Sequence, residues 1–123
     1  MGLRQDGFTL IELLVVCTLM GILMSIAVPM YQSSILRAKE AALAEDLSQM
    51  REAIDKYYGD TGKYPSSLTD MVEKRYIRSV PEDPFTNSSA TWAVVEAEGA
   101  SGIYDVMSGS GLVGRNGTPY SEW

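Results

Sequence analysis

The sequence predicts an α+β protein: a long N-terminal helix, membrane-spanning in its first half, packed on a small antiparallel β-sheet domain. Three observations carry this. Residues 8–28 are almost all apolar, and about 21 residues at 1.5 Å each reach roughly 32 Å as a helix, enough to cross a bilayer. Leu43, Leu47, Met50, Ile54 and Tyr57 then recur at spacings of 4, 3, 4 and 3, which draws one apolar stripe along a helix. Past Gly62 the pattern changes to short β-rich runs separated by Pro and Gly.

The first element needs its alternatives weighed. Ser25-Ile26-Ala27 fits the small-x-small pattern of an ordinary signal-peptidase site. Against that, the segment before the apolar run is short, and its one basic residue, Arg4, is offset by Asp6. Glu12 also sits four residues into the apolar run, where a carboxylate facing hydrocarbon costs a few kcal/mol even on lenient insertion scales. A plain anchor gains nothing from that residue, so Glu12 requires a partner. Farther along, Pro29 has no N–H to give the Ser25 carbonyl, which weakens that turn.

The second half of the helix runs on through residues 33–58, rich in helix formers, and Gly59-Asp60-Thr61-Gly62 ends it. Lys39, Glu40, Glu45, Arg51, Glu52 and Lys56 are assigned to its solvated face. Ser67 is placed to cap a short helix reaching Arg75, with Leu68, Met71 and Val72 inward. Pro81-Glu82-Asp83-Pro84-Phe85 reads as an extended loop. Residues 91–96 and 103–107 read as strands joined by a Gly-containing turn at 98–102. The tail, residues 108–123, holds four glycines and ends in Trp123, expected to pack back on the domain.

Composition removes whole classes of function. The 123 residues carry a formal charge of -6, with scattered Lys and Arg, so a phosphate backbone has nothing to bind and nucleic acid is not an expected partner. With no His and one Cys, Cys17, inside the apolar run, the chain has no Ser-His or Cys-His pair, no His/Cys metal site and no internal disulfide. It is not expected to be an enzyme.

The stretch Gly7-Phe8-Thr9-Leu10-Ile11-Glu12-Leu13-Leu14-Val15-Val16 resembles the signature of the type IV pilin and type II secretion pseudopilin superfamily. That resemblance implies a leader, residues 1–7, cut by prepilin peptidase between Gly7 and Phe8, with N-methylation of Phe8. It implies that Glu12 acts in assembly with Phe8, and that Pro29 matches a position often held by proline. The expected division is a cleaved leader at 1–7, a transmembrane and polymerisation helix at 8–30, its amphipathic continuation at 31–58, and a small α+β domain at 59–123.

Asp83-Pro84-Phe85, Ile103 to Met107, Ser108-Gly109 and Trp123 resemble the major pseudopilin of type II secretion, and no cysteine pair of the common type IV pilins is present. The resemblance implies a pseudopilus subunit that helps drive export across the outer membrane. The alternative is a surface pilus subunit for adhesion, motility or electron transfer. The expected partners are other copies of itself, prepilin peptidase, an assembly platform, minor pseudopilins and the inner membrane, with the C-terminal domain periplasmic. The same resemblance raises calcium in the C-terminal loop. Residues 109–117 contain no Asp or Glu, and the oxygens nearby belong to Asp105, Asn116, Thr118, Ser121 and Glu122, whose spacing is not a recognisable ligand set.

Overall fold

The computed structural model describes residues 7–99 and 101–123. Its elements are α1 (Leu10–Thr61), α2 (Leu68–Glu73), β1 (Ala93–Glu96), β2 (Ile103–Met107) and a 3-10 turn at Tyr120–Glu122. This is the predicted α+β arrangement. Apart from Gly7, the predicted leader lies outside the described residues. The chain divides into two compact units, with the boundary between Arg37 and Ala38.

In the first unit, residues 10–28 of α1 present an entirely exposed apolar surface. Length and composition suit this stretch to crossing a membrane. Helix starts with Leu10 rather than Phe8, because Thr9 caps it: its hydroxyl accepts the Glu12 N–H at 3.1 Å and its carbonyl accepts the Leu13 N–H at 3.1 Å. Pro29 lies inside α1.

In the second unit, the stripe of Leu43, Leu47, Met50, Ile54 and Tyr57 is buried, as predicted, and Ala53 joins it. It packs with Met71, Trp92, Ile103, Val106 and Tyr120 in one core. Each large apolar side chain there stabilises the fold by about 1.5–3 kcal/mol over its exposed state. The helix runs three residues past Tyr58, and Gly62, at φ 73°, turns the chain out of it.

Ser67 caps α2 as expected, accepting the Asp70 N–H at 3.1 Å. The helix stops at Glu73 rather than reaching Arg75, which takes a left-handed φ of 66°. Tyr57 ties α2 to α1 by donating to Asp70 at 2.9 Å and accepting from Lys74 at 2.7 Å.

The sheet is two antiparallel strands, with Val94 opposite Val106 and an irregularity between Val95 and Glu96. β1 begins at Ala93, two residues later than predicted, because Thr91 and Trp92 serve the preceding loop: the Trp92 Nε1–H donates to the Pro81 carbonyl at 2.7 Å. The 81–85 segment is not simply extended. Asp83 bridges to Ser88 and accepts the Asn87 N–H on its carbonyl at 2.7 Å, closing a turn over residues 84–87. Gly109 lies where a β-carbon would overlap the Thr91 carbonyl, so the tail leaves β2 by passing against that loop.

Candidate subunit interface and C-terminal clamp

Two places concentrate polar side chains, and only the first was singled out by sequence. The first is the start of α1. Thr9 and Glu12 stand at the first and last positions of a Thr-x-x-Glu capping arrangement, a signal the sequence reading overlooked. Only the Thr9 half is made. Among the described residues the Glu12 carboxylate has no hydrogen bond, and Phe8 is 85% exposed just outside the helix. Together with Ile11, Val15 and Val16 they line a shallow, almost wholly apolar depression. A carboxylate set in such a surface is costly wherever lipid or packed protein excludes water from it.

The second place was not anticipated. Glu40, assigned to the solvated face, is buried at 6% exposure. Its carboxylate takes three donors: the Arg115 backbone N–H at 3.0 Å, the Arg115 Nε–H at 3.0 Å and the Tyr120 hydroxyl at 2.8 Å. The cause is visible in the spacing, because Glu40 stands three residues before Leu43 and continues the apolar stripe. Burial pushes the Glu40 carboxyl upward, but the Arg115 and Tyr120 hydrogen bonds and the guanidinium charge outweigh it and hold it below its ordinary value. The Tyr120 hydroxyl, buried and donating to Glu40, is pushed up to about 12.

Arg51, also assigned to the solvated face, reaches across to β2 and the tail. It donates to Asp105 Oδ1 at 2.9 Å, to the Val106 carbonyl at 3.0 Å and to the Trp123 carbonyl at 2.7 Å. Trp123 packs back on the core as expected, against Tyr120, and its Nε1–H donates to the Thr118 carbonyl at 3.1 Å. Phe85 stacks on Tyr120 with ring centres 3.9 Å apart. A third tie begins at the fully buried Asp83, which accepts from the Ser108 hydroxyl at 2.6 Å and the Phe85 N–H at 2.9 Å. Ser108 in turn accepts the Ser110 N–H at 3.1 Å, and Ser110 the Leu112 N–H at 3.1 Å.

The five oxygen-bearing residues weighed for calcium do not fit a calcium ion. Asp105 Oδ1 already takes the Arg51 guanidinium and the Val106 N–H. Asn116 Oδ1 takes the Thr118 N–H, and the Thr118 carbonyl takes both Gly114 and Trp123. Ser121 and Glu122 lie exposed on the 3-10 turn. Among the described residues no group of three or more acidic, His or Cys side chains gathers where an ion would sit.

An apolar first helix opened by a Gly-aromatic junction and a Glu, followed by a small domain closed by a C-terminal Trp, defines a prepilin-class protein. The prokaryotic N-terminal methylation motif matches residues 2–28. The chain is 31% identical to type II secretion system core protein G of Aeromonas hydrophila, over 94% of this chain and 88% of that protein. It is 30% identical to the protein of the same name from Escherichia coli K12, over 94% of this chain and 87% of that one. Fimbrial protein EcpC of Eikenella corrodens is 32% identical, over 80% of this chain and 60% of the fimbrial protein. No solved structure matches the chain. This chain belongs to the type II secretion system core protein G family. The broader coverage of those relatives favours the pseudopilin reading over the fimbrial one.

Proposed function

We propose that this chain is the repeating subunit of a type II secretion pseudopilus. Prepilin peptidase cuts between Gly7 and Phe8 and methylates the Phe8 amine. The apolar helix then holds the subunit in the inner membrane with its C-terminal domain in the periplasm. An assembly platform and minor pseudopilins start and extend the filament, whose growth moves exported proteins outward. The chain is a substrate of an enzyme and a building element, not a catalyst.

The observation that carries this reading is the exposed apolar start of α1, with a Glu12 carboxylate that has no hydrogen-bond partner among the described residues. Packing α1 helices side by side covers that surface, and Glu12 of one subunit then meets the new Phe8 amine of its neighbour. A subunit out of register leaves both charges buried without partners, which costs about 3–5 kcal/mol. Glu12 therefore acts as a register device.

The test is incorporation of Glu12→Ala into filaments in cells that also make the unaltered subunit. Incorporation is expected to fall by at least about tenfold while processing and membrane insertion persist. Incorporation at the unaltered level removes Glu12 from assembly and overturns the reading.

A further inference from the structure

We propose that an internal cation, the Arg115 guanidinium, closes the C-terminal loop of this chain onto Glu40, so that the loop folds and holds without a divalent metal ion. Calcium closes a loop by drawing six to eight oxygens, several of them acidic, around one positive charge. Here the charges are arranged the other way about. Residues 109–117 bring no carboxylate and one cation, Arg115, while the helix brings the carboxylate, Glu40.

The geometry of the loop supports this in three ways. First, the loop is already folded on itself. Val113 bridges to Pro119, Gly114 donates to the Thr118 carbonyl at 2.9 Å, Gly117 donates to the Gly114 carbonyl at 3.0 Å, and Tyr120 donates to the Leu112 carbonyl at 3.0 Å. Arg115 stands at the tip of this closed turn, with both its backbone N–H and its side chain on Glu40. Second, Asp105 Oδ1, Asn116 Oδ1 and the Thr118 carbonyl already accept from protein donors, and Ser121 and Glu122 lie exposed on the 3-10 turn. Third, a second arginine works at the other end. Arg51 ties Asp105, Val106 and the Trp123 carbonyl together, so a second guanidinium holds β2 and the last residue of the tail. A divalent ion placed among these groups faces two fixed positive charges.

Loop closure that rests on an Arg–Glu pair is indifferent to free calcium. This goes beyond the filament reading and does not depend on it: a chain that never assembles still has this loop.

The experiment is hydrogen–deuterium exchange read by mass spectrometry on the full chain in detergent micelles, with excess calcium chloride or excess EGTA. Exchange across residues 112–120 is expected to agree within about twofold between the two conditions. Glu40→Gln and Arg115→Gln are each expected to speed it by about tenfold or more, with no recovery on adding calcium, while residues 43–54 keep their protection. Calcium slowing the loop of the unaltered chain by more than about twofold overturns the proposal. So does a rate for either substitution equal to that of the unaltered chain. If a substitution unfolds the whole domain, the comparison of calcium with EGTA on the unaltered chain still decides.

Discussion

Glu40 and Arg115, 75 positions apart in the sequence, meet through two hydrogen bonds of 3.0 Å and join the middle of α1 to the tip of the C-terminal loop. The Tyr120 hydroxyl completes the pairing at 2.8 Å. One carboxylate thus holds three donors from a segment with little hydrophobic mass of its own. Tyr120, in contact with Phe85 and Trp123, supplies most of that mass.

Acid is therefore expected to open the loop before the core. The Glu40 carboxyl is held below its ordinary value of about 4.3. A depressed folded value means that its stabilisation is full above the unfolded value and is lost as pH falls through the lower, folded one. Asp46 acts in the reverse sense. Burial first, then Asp83 and Glu45, raise its carboxyl, so lowering the pH relieves rather than strains that part of α1. Exchange across residues 112–120, corrected for the intrinsic effect of pH, is expected to accelerate below about pH 4.3 while residues 43–54 stay protected. Glu40→Gln is expected to show the fast loop already at pH 7. Simultaneous loss of both segments contradicts this ordering.

Asp83→Ala is expected to destabilise the domain by about 1–3 kcal/mol, because it leaves the Ser108 hydroxyl and the Phe85 N–H without their acceptor. Asp83→Asn keeps one carbonyl acceptor and is expected to cost less. Thermal unfolding of the full chain in detergent, followed by Trp fluorescence, measures both. Equal stability of Asp83→Ala and the unaltered chain shows that the Ser108 relay contributes nothing.

The long helix, its apolar first half and the buried face of its second half were legible because they depend on local periodicity. Strand β2 and the Ser67 cap were legible for the same reason, each resting on a few adjacent residues. Glu40 was misassigned because charge was read as exposure, although it falls on the same 3-and-4 spacing as Leu43 and Leu47, and the half-exposed Arg51 was not seen as a cross-link. Their partners, Arg115 and Asp105, lie 75 and 54 residues away, and no local pattern reports a pairing over that distance. The turn at Asp83 was read as extended because its prolines were weighed and the bridge to Ser88, five residues on, was not. Thr9-x-x-Glu12 is legible as a cap from its spacing alone, and only its Thr9 half is made.

The central claim, that this is a processed and assembling pseudopilin, is tested most directly by intact mass spectrometry of the protein purified from its own cells. The account predicts a mass running from Phe8 to Trp123 with one added methyl group. A mass beginning at Val28, as ordinary signal-peptidase cleavage gives, or a chain that keeps residues 1–7, contradicts it.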